Sequence, residues 1–345
     1  MLKFSLLQRF TICALCAYIL IFTILFSSFS CFASADENPK QVVFVRYNLK
    51  EGKSSTVIEG FKRTMAKRGY TEGKDITYID FFTHQPEHKS AGGVLDFVDK
   101  QMSSADMFIT TSWTSIYVRS KLAKSQVPQL FVPALKSTVL SMLSSTDEEP
   151  DTNLSGVYLT FPPEKILQLA KRILPKIRKY GFVYDSRIPA DIVFKAAYGQ
   201  LNENERHGIT IYFLDLANGT DTVQQKMNKM GIEAFGGAVG TLQNLKELSK
   251  VELPIITVLL IDRNRKSLVK FIKGSNVIAG LFSPFDSCGQ QAAEIAADIF
   301  DGKTSIEKSI PQPAQQLTVV NLVAAKRLKQ TVPFPALEAA DIVIK

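Results

Sequence analysis

The sequence predicts an α/β protein of two lobes, each a doubly wound, mainly parallel sheet, joined by a hinge. Three observations predict it. Short apolar runs rich in Val, Ile and Phe alternate with amphipathic helical stretches along nearly the whole chain, the rhythm of parallel strands with crossover helices. The rhythm starts over at residues 154–185, LSGVYLTFPPEKILQLAKRILPKIRKYGFVYD, which read as an exit strand, a helix and the first strand of a new sheet. The 345 residues, 46% hydrophobic and 21% charged, suffice for two cores.

In the restarting stretch, Ile166, Leu169, Ala170, Ile173 and Ile177 recur at helical spacing, while Glu164, Lys165, Gln168, Lys171 and Arg172 fall on the opposite face. That is the pattern of a helix laid on a sheet. Pro162 and Pro163 suit its first turn, where a missing N–H loses no partner, and Pro175 ends it.

The first 35 residues stand apart. Lys3 and Arg9 precede a charge-free apolar run that ends in Ala33-Ser34-Ala35, an A-x-A cleavage signature, so the stretch reads as a secretory signal cleaved before Asp36. An uncleaved membrane anchor is the alternative, because ~18 or more apolar residues can span a bilayer. Cys13, Cys16 and Cys31 leave with the leader, and Cys288 alone can form no internal disulfide. Formal net charge is +8, two less without Lys3 and Arg9, and its bearers are spread over helix faces such as Lys62, Arg63, Lys67 and Arg68. The distribution excludes the basic stripe of a nucleic-acid binder.

Along the first lobe, QVVFVRYN is a strand that delivers Tyr47 and Asn48 into a loop, and Ser54 or Ser55 caps the next helix. Ile58, Phe61 and Met65 form that helix's buried stripe, with Gly69 at its left-handed C-terminal cap. ITYIDFF, ADMFITT and PQLFVPAL are the following strands, separated by helices near 93–101 and 112–124, and 144–153 is a polar surface loop. The second lobe repeats the pattern. Strands GFVYD, ITIYFLD, IEAFGGAVG, PIITVLLI and VIAGLFSPF alternate with helices near 189–206, 221–230, 242–250 and 264–273. A helix from Asp286 to Gly302, the strand QLTVVNL and a short C-terminal helix complete the chain. Ligands of parallel sheets sit outside the carboxyl ends of the strands, here the loops after Arg46, Ile109, Val132, Val183 and Leu260.

GFKRTMAKRGYTEGKDI, GVYLTFPPEKILQLAKRILPKIRKYGFVYDS, SPFDSCGQQAAEIAADIFDGK and QLTVVNLVAAKRLKQTVPFPALEAADIVI together resemble, in order and spacing, successive segments of a known family. It is the ABC-transporter substrate-binding protein family related to tryptophan- and tyrosine-binding importer components. The resemblance covers nearly the whole chain after the leader. It implies a type I periplasmic-binding-protein fold, two lobes with three crossings, that closes on a small solute and presents it to an ABC permease in the membrane. The expected division is 36–157 for lobe 1, 158–282 for lobe 2, and 283–345 returning to lobe 1. A monomer that binds solute without catalysis, cofactor or metal is the expectation, located in the periplasm or elsewhere outside the cytoplasm. Two other readings stand beside it: a ligand-sensing module of the same fold docking on a membrane receptor, and an extracytoplasmic hydrolase or transferase.

Nothing specific supports an enzyme. His84-Gln85-Pro86-Glu87-His88 spells the zinc-protease motif H-x-x-E-H, but Pro86 disfavours the helix that would align both histidines. Gly236 to Gly240 lacks dinucleotide-binding spacing and reads as a flexible cleft loop.

Candidate ligand contacts gather at strand ends. Thr110 to Ser115 joins a strand end to a helix start and places hydroxyls beside unpaired N–H groups, a setting for a carboxylate. Thr111 and Ser112 carry over from the family by position, and Trp113 is bulkier than the residue usual there. Where relatives read T-D-P after the fourth strand this chain has Leu135-Lys136-Ser137, and where they read Y-N-P it has Tyr184-Asp185-Ser186. Lys136 and Arg187 are therefore expected to favour an anion and Asp185 to meet a ligand amine. Tyr47, Phe161 and Tyr184, with Asn48 beside the first, are expected to wall a planar group.

Overall fold

The computed structural model describes residues 38–47, 55–84, 87–144 and 153–345. The leader, Asn48, Ser54 and the acidic stretch 145–152 lie outside the described residues. In chain order the elements are β1 (Lys40–Tyr47), α1 (Thr56–Lys67), β2 (Ile76–Thr83), α2 (Glu87–Gln101), β3 (Met107–Thr110), α3 (Thr114–Leu122), β4 (Gln129–Leu135), α4 (Lys136–Ser144) and β5 (Leu154–Leu159). There follow α5 (Pro163–Ile173), β6 (Lys179–Tyr184), α6 (Pro189–Gly199), β7 (Thr210–Asp215), α7 (Thr220–Met230), β8 (Ala234–Gly237), α8 (Val239–Gln243), α9 (Leu245–Leu248), β9 (Ile255–Leu259), α10 (Arg265–Ile272) and β10 (Val277–Phe282). The chain ends with α11 (Phe285–Phe300), β11 (Gln312–Pro313), β12 (Leu317–Asn321), α12 (Leu322–Arg327), α13 (Phe334–Glu338) and β13 (Ile342–Ile344).

Two sheets result, in strand order β11-β5-β4-β3-β1-β2 and β13-β12-β10-β9-β8-β6-β7. Every pairing among the described strands is parallel except β10 with β12. In β1, Val42 and Phe44 join the core that holds Phe61 and Met65 of α1, while Val43 and Val45 join a separate one with Val94, Val98, Val118 and Leu122 of α2 and α3. Both faces of the sheet are covered, which is why the strand reads as an unbroken apolar run. The second sheet is sandwiched likewise: Tyr180 and Phe182 pack with residues of α5 and α6, and Val183 with those of α7 and α10.

Among the described residues the chain passes between sheets three times, at 160–162, at 283–284 and again at 314–316. The third passage differs from the expected division. The segment from 283 does return to the first lobe, where α11 packs on α1 and β11 on β5. Then β12 pairs antiparallel with β10 and β13 parallel with β12, so 317–345 complete the second sheet. The first lobe likewise runs to Leu159 rather than Val157, since all of β5 pairs in the first sheet.

Local boundaries moved where polar chemistry overrode period. Helix α2 begins at Glu87, immediately after Pro86 in sequence, so His84 lies outside the helix that holds His88. The H-x-x-E-H spacing therefore never forms a single helical face. Helix α6 stops at Gly199, where the amides and side chains of Asn202 and Glu205 bond reciprocally in a turn. The glycine stretch is the larger correction: Gly236 and Gly237 are buried inside β8 rather than in a flexible loop. A Cβ on Gly236 would lie 2.1 Å from the Ile256 carbonyl oxygen and 2.2 Å from the Tyr180 hydroxyl, so close strand packing explains the glycine.

Candidate functional site

The carboxyl ends of both sheets open on a cleft of about 1860 Å³ lined from both lobes. Tyr47, Thr111, Ser112, Trp113 and Arg187 are part of its lining. Tyr47 ends β1 and stacks obliquely on Trp113, with centroids 5.8 Å apart, and Trp113 meets Tyr117 edge-on at 5.6 Å. The three rings form an aromatic wall on the first lobe. Burial raises the Tyr47 phenol above its ordinary pKa, so it stays a neutral donor at neutral pH.

Beside the wall, the Tyr47 N–H donates to Thr111 Oγ1 at 3.1 Å, which leaves the Thr111 hydroxyl proton free to donate elsewhere. Ser112 holds φ at 55°, a left-handed conformation uncommon for serine, and its N–H donates to the Pro133 carbonyl at 3.4 Å. Helix α3 starts after Trp113 with no side-chain cap, and Thr114 is occupied in donating to the carbonyls of Val45 and Thr111. Ser137, Thr138 and Ser141 of α4 extend this hydroxyl ledge. The floor holds Arg46, 2% exposed and bound bidentately to Asp80 at 2.9 and 2.8 Å.

The remaining sequence candidates lie elsewhere. Tyr184 is in the core, not on the cleft lining: alternation along β6 points it to the same side as Tyr180 and Phe182, under the ammonium of Lys195 at 4.7 Å. Phe161, 6% exposed, is in that core too. Lys136 is exposed at the first position of α4 but outside the lining, whereas Ser137 and Thr138 are in it. Asp185 is buried and its carboxylate is taken up by Arg187, Nε to Oδ1 at 2.8 Å and Nη2 to Oδ2 at 2.7 Å. Those hydrogen bonds from Arg187 hold the Asp185 carboxyl below its ordinary pKa.

Sequence reasoning passed over the second lobe's wall and one link between the lobes. Leu242, Lys246, Arg263 and Phe271 line the cleft with Ile188 and Val193. From the β9–α10 loop, Asp262 reaches the start of α1 in the first lobe. Its Oδ2 accepts from Ser55 Oγ at 3.0 Å, and its Oδ1 accepts from Thr56 N–H at 3.1 Å and from the Thr56 hydroxyl. Ser55 is the N-cap by position yet makes no side-chain cap of its own, so the cap comes from the opposite lobe. The available signal was positional, since 261–263 follow a strand end in the second sheet. Among the described residues no group of His, Cys, Asp and Glu is placed to hold a metal ion, and no helix is long and apolar enough to cross a membrane.

No protein-family model matches the chain. A tyrosine-binding protein of Clostridioides difficile is 22% identical over 255 residues, 71% of this chain and 68% of that protein. Among solved structures, an ABC domain from Streptococcus pneumonia in complex with L-Trp superposes with a TM-score of 0.69 at 14% identity, over 89% of this chain and all of the other. The ligand-free, open structure of a substrate-binding protein with adhesive properties from Clostridium difficile gives 0.65 at 18% identity, over 89% and 99%. The chain thus has the type I periplasmic-binding-protein fold, and two of the similar proteins just described are named as binding proteins.

Proposed function

We propose that this chain, built on the fold of solute-binding proteins, captures a small amino-acid-like ligand in its interlobe cleft and delivers it to an ABC importer from outside the cytoplasm. The observation that carries the reading is the cleft itself. It lies at the carboxyl ends of both sheets, where ligands of parallel sheets bind, and pairs an aromatic wall with a hydroxyl ledge. A zwitterion with an aromatic or branched side chain suits that combination. The side chain would lie on Trp113 and Tyr117, and the carboxylate would take the free Thr111 proton and the Ser112 hydroxyl. Similar proteins named for tyrosine and bound to L-Trp support the same class. The leader ending at Ala35 would deliver the protein as a monomer to its membrane permease.

Thermal melting of the exported chain against the common amino acids tests this. A ligand at a hundred times its Kd stabilises by about 2.7 kcal/mol, which raises Tm by several degrees for lobes of this size. At least one aromatic or branched amino acid should do so and make the small-angle scattering profile more compact. Trp113→Ala should then weaken binding about tenfold, ~1.4 kcal/mol. A panel with no thermal shift and no compaction would remove the reading.

A further inference from the structure

Two of the charged side chains that line the cleft are committed to ion pairs. Among the described lining residues, Arg46 is paired with Asp80 and Arg187 with Asp185, Lys246 and Arg263 are two further cations, and the carboxylates are Glu59 and Asp262. Glu59 is exposed on α1. Asp262 is half-buried and held in one orientation by three donors from Ser55 and Thr56.

A carboxylate offers about four lone-pair positions. Oδ1 accepts two hydrogen bonds and Oδ2 one, so an acceptor position remains on Oδ2 of a side chain that lines the cleft. Its donors belong to the first lobe and its backbone to the second. The carboxylate therefore has little rotameric freedom left to lose when a ligand arrives, which lowers the cost of binding. Asp185, the acid that the sequence offered for a ligand amine, is already neutralised by Arg187 and lies off the lining.

We propose that Asp262 is the specificity-determining carboxylate of the cleft, receiving the ammonium group of an amino-acid ligand while α1 of the opposite lobe holds it in place. The proposal rests on the amino-acid reading above. Because Ser55 and Thr56 orient Asp262 only while the lobes keep this arrangement, recognition of the amine is linked to lobe position.

The test compares amino acids with their desamino counterparts by calorimetry: L-tyrosine with 3-(4-hydroxyphenyl)propionate, L-tryptophan with 3-(indol-3-yl)propionate, and L-leucine with 4-methylpentanoate. The parent protein should prefer the amine-bearing member of at least one pair by about ten- to a hundredfold, as expected for a charge-assisted hydrogen bond. Asp262→Asn keeps an acceptor for Thr56 N–H and should reduce that preference to within a few fold, leaving affinity for the desamino partner nearly unchanged. Should that variant not fold, Asp262→Glu, which keeps the charge but moves it by one methylene, should lower the preference instead. A folded variant that retains the full preference, or that loses affinity for both members equally, overturns the assignment and leaves Asp262 as a link between lobes. A parent that binds both members equally overturns it while the cleft remains a binding site. A parent that binds no member of any pair removes the amino-acid reading together with this one.

Discussion

Replacing Gly289 or Gly60 by alanine is expected to destabilise the protein by ~3 kcal/mol or more, whereas the same change at Gly92 or Gly93 should be neutral or stabilising. All four are helical glycines, so intrinsic propensity favours alanine by ~1 kcal/mol in every case. What differs is the space. A Cβ on Gly289 of α11 would lie 2.0 Å from the Val57 carbonyl oxygen of α1, and one on Gly60 would lie 2.1 Å from the Asp286 carbonyl oxygen of α11. Those atoms are backbone, so relief requires one helix to move off the other, and overpacking of this kind costs ~1–3 kcal/mol or more. Gly92 and Gly93 of α2 have nothing within 4 Å of the added carbon. Melting should show a drop of about 6–12 °C for Gly289→Ala against no drop for Gly92→Ala. Equal melting temperatures would mean that the helices part without cost. The consequence reaches the cleft, because Val57 adjoins Thr56, whose N–H and hydroxyl meet Asp262. Gly289→Ala should therefore also weaken ligand binding in protein that remains folded.

The two-lobed fold was legible because its determinants are local: apolar strand runs, helix periods, and prolines and glycines at element ends. Gly69 illustrates this, with φ at 98° just past α1, where a left-handed cap was expected. The destination of QLTVVNL was not legible, because an apolar strand fits the edge of either sheet until its partner is known. It chose β10, with Ala279 opposite Val320, in the one antiparallel pairing of the second sheet's described strands. The site divides the same way. Thr111, Ser112 and Trp113 sit just past the end of β3 and Tyr47 is the last residue of β1, where position indicates the cleft. Tyr184 is likewise the last residue of its strand, but alternation turns it to the face of Tyr180 and Phe182, which packs in the core. Tyr117 lies inside a helix with nothing in the sequence to single it out, and only the approach of Trp113 shows that it completes a wall. Asp185 could not be read as spent, because its bidentate geometry with Arg187 two residues on depends on the turn between β6 and α6.

Asp191→Ala is expected to cost more than ~3 kcal/mol, and the stability that Asp191 contributes should depend on pH. The side chain is fully buried in α6, and its carboxylate accepts three backbone hydrogen bonds: from Asp185 at 2.9 Å, Val239 at 2.8 Å and Gly240 at 3.0 Å. It thereby ties the end of β6 to the turn between β8 and α8, whose Val239 and Leu242 line the cleft. Alanine would leave three N–H donors without their acceptor, at ~1–3 kcal/mol for each that stays buried. Burial is the larger influence on the carboxyl and pushes its pKa up to about 6, although the three donors favour the anion. Between about pH 4, where the unfolded chain ionises, and about 6, the folded protein holds a proton that the unfolded chain has released. The contribution is thus complete below about pH 4 and is lost as pH rises through about 6, a change of ~3 kcal/mol. Asp301, held down to about 2 by the Lys303 ammonium first and then by Tyr70, acts with the opposite sign, but it is common to parent and variant. Urea unfolding of the parent and of Asp191→Asn at pH 4, 5, 6 and 7 isolates the effect: the parent's advantage should shrink steadily up to pH 6 and then level off. An advantage that stays constant across that range would show that Asp191 is ionised throughout and that its three donors outweigh its burial.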